Sequence, residues 1–599
     1  MSVWMITIPV MIETTRQPGK LVNHWRRIYL SGHIRGPAIA ATTGLIYACA
    51  AWSKYAAGEP WRVFAAAGLA TVSIVPYTLT FMQGTNNALF RADDLTSKGT
   101  EPSWVDAERS SLGVLAGLLL LYCTTEIIYN LFFHPLRSYP GPLLWRASSL
   151  PWKLTLLRGT MHHDLMRYHQ IYGDTVRVKP NEISYANAQA WKDIHAHVPG
   201  RPEFLKDPVR LPLAPNGIMS ILVSDTRNHA RFRSLFGHAF SDKGLRVQEA
   251  NILRYADLLV QVLREVADTG GSVEMVHYYN MAIFDSIGAL SFGESFNSLQ
   301  DRVLHPWVDA IHKNLKSVAI SHVLRSMGIE FLTPYVLPKE LRGKRAENYK
   351  FAIEKVTHRL QKTGDQGDFW DRVVVKSADG NESGTGMSPG EMLNNAAVMV
   401  VAGSETTSSV MCGATFLLCK FGKLEKATRE IREAFKRSED ITLLEVTQLP
   451  YLTAVIDETL RMYPAVPGQP PRVVPEGGAM VCGKFIPEDM RVGVSHLGTY
   501  FADYNFTKPH EFIPERFLEK DNPMFANDNW AAYQPWSVGV RNCIGRNLAY
   551  GEIRLTLAKV LWHYDLVLDK GRTGEFLDQK IWSIWAKREL YVSLYSRKD

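Results

Sequence analysis

A cysteine near the C-terminal end stands where a metal ligand could be placed. Cys543 lies between Gly539 and Gly545, and a helical pattern begins at Arg546. A thiol just before a helix start receives backbone N–H dipoles, which lower its pKa and suit the thiolate to binding a metal. Arg541 adds a positive charge beside the sulfur, and the glycines let the backbone approach a large flat group. A lone cysteine is more often a buried structural residue, so the surrounding residues decide this interpretation.

An acid and a threonine interrupt the long apolar helix predicted over 394–418. Glu405 and Thr406 follow Gly403, which weakens the helix at the same point. A buried acid in an apolar helix is costly. Two interpretations are open. The stretch is either a glycine kink with a packing face of hydroxyl residues, or a local widening that admits dioxygen and water.

Two further pairs are spaced to share a helical face. His229 and Arg233 lie four residues apart on a helix that Asp225 is placed to cap. Glu458 and Arg461 lie three residues apart and can form an ion pair. Each spacing is weak by itself, since the first usually marks a solvated face and the second is common in helices.

Taken together, these motifs resemble the cytochrome P450 family. The cysteine loop reads aromatic-x-x-Gly-x-Arg-x-Cys-x-Gly from Trp536, where the family usually has Phe. A Pro-Glu-Arg-Phe motif follows the Glu458 pair at 514–517, and Pro-Pro-Arg at 470–472 lies between them. The motifs occur in the family's order, and the resemblance extends over the chain from about residue 135 onward.

The resemblance implies a role for each residue. Cys543 is expected to be the axial ligand of the iron of haem b, with Glu405 relaying protons and Thr406 hydrogen-bonding the activated oxygen. The residues expected to hold the haem are His229 (where the family usually has Trp), Arg233, Arg472, Arg541 and Cys543. The members of a buried structural triad are Glu458, Arg461 and Arg516. The expected pocket positions are 218–222, Asn395, Met399, Ala402, Val466 and Pro467. They are mostly apolar, so a bulky hydrophobic substrate such as a polyketide or terpenoid is expected.

The predicted fold is mainly α with small β-sheets, the cytochrome P450 fold, over residues 151–599. A proline-rich hinge at 134–150 and an α-helical membrane region at 1–133 precede it, with a hairpin predicted from strands 175–178 and 182–185. Apolar stretches at about 36–52, 64–82 and 112–133 are each near the length that spans a bilayer. Three to four transmembrane helices are therefore expected, the last of them at 112–133 as the anchor.

The charge distribution leaves the topology of this region open. Basic residues after 133 predict a cytoplasmic catalytic part. The segment at 13–35 would then be lumenal, although it is also basic. Either one apolar stretch does not span the membrane, or residues 1–12 belong to a fourth helix.

The membrane region itself resembles a second family. Residues of about 20–125 carry Trp25-x-x-x-Tyr29-x-x-Gly32-His33 and a later motif that begins Pro76-Tyr77. They look like the small four-helix membrane proteins that include fungal anthrone oxygenases. The region is then either an elaborate anchor without chemistry or a fused second oxygenase for an aromatic polyketide. The polar residues to test are His24, Asn86, Arg91 and Arg109.

The composition argues against several classes of partner and site. The net charge of +7 comes without a long run of Lys and Arg, so no nucleic-acid partner is expected. Six scattered cysteines form no CxxC pair, which argues against a zinc site or a disulfide framework. A haem-binding scaffold without activity is a rival class, and the Glu405–Thr406 pair argues against it.

The resemblance implies a membrane-bound haem-thiolate monooxygenase of fungal secondary metabolism. It would use O2 and electrons that NADPH–cytochrome P450 reductase delivers from NADPH. Its other expected partners are a hydrophobic small-molecule substrate and membrane lipids. The expected location is the endoplasmic reticulum membrane, with the haem domain facing the cytosol.

Overall fold

The computed structural model describes residues 117 and 119–597, except for 212–213, 215, 269, 338–351, 363–365, 381–384, 469–470 and 520. The chain divides into two units, Met1–Arg137 and Ser138–Asp599. The predictions made for residues 1–116, including the anthrone-oxygenase motifs and most of the membrane helices, lie outside the described residues.

The described part of the first unit is the end of one helix. Residues 119–128 are α-helical and Tyr129–Phe133 form a π-helical turn. The helix ends at His134, whose backbone is extended, because the residue before a proline is disfavoured in the helical conformation. Within the described residues, no helix is both long and apolar enough to cross a membrane.

The second unit is predominantly helical. Its α-helices are α1 (Leu143–Ala147), α2 (Leu150–Arg158), α3 (Met161–Tyr172), α4 (Ala188–His195), α5 (Thr226–Phe236), α6 (Asp242–Ala267), α7 (Met275–Phe292), α8 (Ser298–Asp301), α9 (Pro306–Ser326), α10 (Thr333–Val336), α11 (Asp371–Gly380), α12 (Pro389–Lys420), α13 (Leu424–Ala434), α14 (Pro450–Met462), α15 (His496–Tyr500), α16 (Glu515–Leu518), α17 (Arg546–His563) and α18 (Lys570–Thr573). Residues 352–361 are also helical. The short 3₁₀ turns are Glu330–Leu332, Ser438–Asp440, Glu445–Gln448, Pro523–Phe525 and Trp530–Ala532.

The strands of the described residues form three small sheets. They are β1 (Thr175–Lys179), β2 (Glu182–Tyr185), β3 (Ser272–Glu274), β4 (Arg472–Val473), β5 (Ala479–Val481), β6 (Lys484–Ile486), β7 (Arg491–Val494), β8 (Tyr564–Leu568) and β9 (Tyr591–Ser596). The sheet orders are β1-β2-β7-β4, β3-β9-β8 and β5-β6. Only the β2–β7 pair among these is parallel. The predicted hairpin is confirmed as β1 and β2, with β1 one residue longer than expected.

The core is built where α7 packs against α12. A capping box of Ser388 and Glu391 starts α12 five residues before the predicted position. A Cβ atom at position 403 would lie 2.9 Å from Cδ1 of Ile287, so Gly403 lets the two helices approach closely. The helix α12 continues through Gly403, and the close approach to Ile287 agrees with the interpretation of this stretch as a packing face. A glycine inside a helix costs about 1 kcal/mol relative to alanine. The packing of α12 against its neighbours stabilises the helix by more than this cost.

Candidate active site

The loop before α17 holds Cys543 in a fixed position. The Cys543 N–H donates to the carbonyl oxygen of Trp536 at 2.9 Å. Gly539 has a φ of +78°, and a Cβ atom there would lie 1.9 Å from the carbonyl oxygen of His195, so no other residue fits. Gly545 forms the N-cap of α17. The thiol therefore lies just before a helix N-terminus, as predicted.

The charge around the sulfur differs from the prediction. Burial raises the pKa of the Cys543 thiol, and the Gly545 N–H and the charges of Arg233, Lys206 and Arg546 act in the opposite direction. The Cys543 side chain is nevertheless accessible to solvent. The protein therefore surrounds the sulfur closely enough to disfavour its charge, while part of the side chain stays open to solvent. The cations acting most strongly on this sulfur are therefore not the predicted Arg541.

Arg541 is turned toward an acid that the sequence analysis missed. Its guanidinium forms an ion pair with Glu203, with 3.1 Å between Nη2 and Oε2, and Nη1 donates to the carbonyl oxygen of Ser224 at 2.8 Å. Arg472 donates to the carbonyl oxygen of Phe204 at 3.2 Å. Among the described residues, the buried Nε of Arg472 has no hydrogen-bond partner.

The helix α5 brings the other two predicted residues to the same place. The side chain of Asp225 caps α5 by accepting from the Asn228 N–H at 2.9 Å, as predicted. Burial, with the charges of Arg541 and Arg233, lowers the pKa of His229 to about 4, so its ring is neutral and can still donate one hydrogen bond. His229, Arg233, Arg472 and Arg541 all line one cavity of about 490 Å³.

The charges of this cavity fit a group with carboxylates. Burial and the charges of Arg472 and Arg541 lower the pKa of Lys206 to about 7, while Glu203 and Cys543 act in the opposite direction. Three arginines, Arg233, Arg472 and Arg541, thus line the cavity with one glutamate, Glu203, and Lys206 lies close enough to feel the charges of two of them. Buried cations require anionic partners. Together with an accessible thiol, the residues fit a haem, whose propionates and iron would satisfy them.

The acid and the threonine of α12 occupy different surroundings. The Thr406 hydroxyl donates to the carbonyl oxygen of Ala402 at 2.5 Å. Ala402 is exposed although it lies on a core helix, and Thr406 is partly exposed. Glu405 is buried, and its carboxylate forms an ion pair with Lys587 at 3.0 Å. No spacing or motif in the sequence points to Lys587, which lies in a loop 182 positions away.

The three charged residues of the predicted triad meet in the core and are 0% exposed. Arg461 donates twice to Glu458 at 2.8 Å, and Nε of Arg516 lies 3.2 Å from the same carboxylate. A fourth member, Asp528, accepts from Arg516 at 2.5 Å. Charge accounting could have found it, because two buried arginines with one glutamate need a second acid.

The predicted pocket positions divide into two groups. Asn395 is buried and holds the loop around 218–222 by accepting from the Ile221 N–H at 2.8 Å, so it positions that loop. Met399 is 8% exposed and Val466 is 40% exposed, and both are apolar. With Ala402, they are apolar positions on α12 and after α14, and none of the three lines the cavity of about 490 Å³.

Comparison with known proteins identifies the family of the chain. Residues 139–592 match the family model described as cytochrome P450. The chain belongs to the cytochrome P450 family. The family is an oxygenase family with a haem-thiolate cofactor, a reductase as redox partner and hydrophobic substrates. This P450 is accordingly a monooxygenase that uses O2 and electrons from NADPH to oxidise a hydrophobic small molecule of fungal secondary metabolism.

Several curated fungal proteins are similar to this P450. It is 77% identical over 491 residues to a versicolorin B desaturase of Emericella nidulans, covering 82% of this chain and 99% of that protein. It is 78% identical over 476 residues to a versicolorin B desaturase of Aspergillus parasiticus, covering 80% and 95%. An averantin hydroxylase of Dothistroma septosporum is 42% identical over 485 residues, covering 80% and 90%. Residues 25–115 of this chain also match the family model described as anthrone oxygenase.

Proposed function

We propose that this P450 desaturates versicolorin B or a closely similar hydrophobic polyketide. The observation that carries the proposal is the 77% identity to a versicolorin B desaturase along 99% of that protein. Identity to the averantin hydroxylase, which is 42%, is far lower although the coverage is similar. Three of the predicted pocket positions, Met399, Ala402 and Val466, are apolar and suit a substrate of this kind.

In the proposed reaction the cofactor and the residues of the chain have different roles. Haem b, bound through Cys543, would supply the activation of dioxygen. Arg233, Arg472 and Arg541 would neutralise the propionates, and Glu203 keeps Arg541 in place. Thr406 would offer its hydroxyl on the exposed side of α12. Overall, desaturation removes two hydrogen atoms from the substrate, and with O2, NADPH and one proton it yields two water molecules and NADP⁺.

The test is an assay of the full chain with its reductase partner, for which we propose NADPH–cytochrome P450 reductase. Versicolorin B, NADPH and O2 are supplied, and products are separated by mass. The expected product has lost two hydrogen atoms. A product that has gained one oxygen atom would instead assign a hydroxylase, and an unchanged substrate would overturn the proposal. The Cys543→Ser variant controls for activity of the reductase alone.

We further propose that residues 1–133 insert into the endoplasmic reticulum membrane and contact its lipids, with the P450 domain in the cytosol. The basic residues after 133 support this orientation. In intact microsomes, added protease should degrade the P450 domain, and sodium carbonate should leave the chain in the membrane. Release by carbonate would contradict the insertion.

A second candidate is a bifunctional protein whose N-terminal region is also an oxygenase. Its support is the anthrone oxygenase match over residues 25–115. The test uses the full chain with Cys543→Ser, supplied with an anthrone. Oxidation that persists in this variant and is lost on adding Asn86→Ala would establish a second site. No oxidation above the rate without protein would make the region an anchor.

A further inference from the structure

Glu203 is the one acid that lines the cavity of about 490 Å³ within the described part of the chain. Its side chain is 19% exposed and shares the cavity with Arg233, Arg472 and Arg541. Burial acts to raise the pKa of Glu203, but the hydrogen bonds from Arg541 and Thr226 outweigh it and leave the pKa below its ordinary value of 4.5. The residue is therefore ionised at neutral pH, and the cavity contains a negative charge of its own.

The backbone fixes Glu203 beside the strand that carries Arg472. Lys206 and Arg472 form an isolated antiparallel β-bridge. The Val473 N–H donates to the carbonyl oxygen of Leu205 at 2.8 Å. The acid thus stands two residues before a stretch that is hydrogen-bonded to β4, which holds it in one place.

Both carboxylate oxygens of Glu203 are used. Oε1 accepts from Nε of Arg541, and Oε2 accepts from Nη2 of Arg541 at 3.1 Å and from the Thr226 hydroxyl at 2.8 Å. Thr226 is the first residue of α5, the helix that also carries Arg233. The carboxylate therefore joins the arginine of the cysteine loop to the start of α5.

The ion pair leaves Arg541 able to bind a second anion. A guanidinium has five N–H groups. Among the described residues, Glu203 and the carbonyl oxygen of Ser224 accept from three of them. Two N–H groups remain for a haem carboxylate, so Glu203 and the haem can occupy the cavity together.

We propose that Glu203 lowers the reduction potential of the haem iron. Reduction adds one electron to the iron, and a negative charge in the same cavity makes that addition less favourable. Glu203 acts through the charge of the site and through Arg541, so it is a positioning residue without a step of its own. A lower potential makes the ferric iron harder to reduce, which restrains electron transfer from the reductase.

The test changes the charge of Glu203 and of a matched acid. Glu203→Gln removes the charge and keeps an oxygen that can accept from Arg541, whereas Glu203→Asp keeps the charge. Glu391→Gln is the control, because Glu391 is 17% exposed, pairs with Arg231 of the same helix α5 and does not line the cavity. The midpoint potential of the iron is measured in each holoprotein by reductive titration, together with the ratio of haem to protein.

The expected result separates charge from structure. Glu203→Gln should shift the reduction equilibrium about tenfold toward the ferrous iron, which is about 59 mV for a one-electron couple. Glu203→Asp and Glu391→Gln should stay within about twofold of the parent. An unchanged or lower potential in Glu203→Gln would overturn the proposal, as would an equal shift in Glu203→Asp or Glu391→Gln.

A variant with the opposite charge change keeps the test decisive if Glu203→Gln binds too little haem to be titrated. Thr226→Asp adds a second carboxylate beside Glu203, in the first turn of α5, where an acid stabilises the helix. It should fold and should shift the equilibrium toward the ferric iron. A parental or higher potential in Thr226→Asp would overturn the proposal. These titrations need no substrate, so a parent that leaves versicolorin B unchanged overturns the proposed function while the potentials still decide the role of Glu203.

Discussion

Arg233 donates to the carbonyl oxygen of Asn542 at 2.8 Å and also to its side-chain oxygen. Asn542 is the residue before Cys543, so α5 is tied directly to the cysteine loop. The guanidinium thus does two things: it supplies charge to the cavity, and it fixes the loop. Lysine can supply the charge, but it lacks the fork that reaches two oxygens.

Replacing Arg233 should therefore reduce haem content in two steps. Arg233→Lys should lower the ratio of bound haem to protein, and Arg233→Ala should lower it further because the cation is lost as well. The exposed Arg227 on the same helix provides the control, since Arg227→Ala should retain the parental ratio. Equal haem content in all variants would show that the Asn542 contact does not matter for binding.

The buried charge cluster should dominate stability. Arg516→Ala leaves Glu458 and Asp528 without their shared cation in a site that is 0% exposed. Breaking such a buried pair costs about 3–5 kcal/mol, so the urea midpoint should fall strongly or the protein should fail to accumulate. The exposed pair of Arg437 and Asp440 is the control, and Arg437→Ala should leave the midpoint unchanged. Similar midpoints for the two variants would contradict this account.

Sequence reasoning succeeded where the signal is local and failed where it is not. Asp225 and the β1–β2 hairpin follow from neighbouring residues, and both have the predicted geometry. Glu203 meets Arg541 across 338 positions. Lys587 meets Glu405 across 182 positions. Neither Glu203 nor Lys587 belongs to a motif or stands at a helical spacing from its partner. Only the tertiary fold reveals these contacts.

The helix α12 shows a second limit of the sequence. Gly403 and the polar run after it predict an interruption, because glycine and hydroxyl residues weaken isolated helices. In the fold the same residues serve packing. Gly403 admits Ile287, and the Ser404 hydroxyl donates back to the carbonyl oxygen of Val400 at 2.7 Å. Local propensity was overridden by the neighbouring helix α7.

Glu552 should make stability depend on pH. Burial raises the pKa of Glu552 from 4.5 to about 8, with a hydrogen bond from Ser286 acting in the opposite direction. The folded protein thus holds this proton more tightly than the unfolded chain. Its contribution to stability is complete below the unfolded pKa of 4.5 and is lost as the pH rises through about 8.

The check is the thermal midpoint of Glu552→Gln and of the parent across that range. The parent should lose stability as the pH rises, relative to the variant, because glutamine keeps the neutral form. Glu249 of α6, which shows no such burial, gives the control variant Glu249→Gln, whose curve should follow the parent. Parallel curves for Glu552→Gln and the parent would contradict a protonated Glu552.

The two loop glycines should differ in their tolerance of alanine. At position 539 the new Cβ would overlap the carbonyl oxygen of His195, and the φ of +78° is unfavourable for alanine. At position 545 the nearest protein atom would be 3.9 Å away. Gly539→Ala should therefore lower the urea midpoint, and Gly545→Ala should leave it near that of the parent. The reverse order would contradict the close approach of position 539 to His195.

The Thr406 hydroxyl should determine how the electrons of NADPH divide between product and hydrogen peroxide. Its hydroxyl donates to the carbonyl oxygen of Ala402 at 2.5 Å, on the exposed stretch of α12. Thr406→Ala removes this hydroxyl without disturbing the buried Glu405 and Lys587 pair. NADPH consumption should continue, while product falls and hydrogen peroxide rises, because protons no longer reach the oxygen in an ordered way.

Thr406→Ser keeps the hydroxyl and should restore most of the product, which separates the loss of the hydroxyl from the loss of side-chain volume. Removing a group that positions a proton costs a factor of about 10² or more in the step that it serves. A Thr406→Ala enzyme that recovers NADPH electrons in product as completely as the parent would contradict this role. The hydroxyl would then serve the helix alone, because its bond to Ala402 also satisfies a carbonyl oxygen beside the glycine at 403.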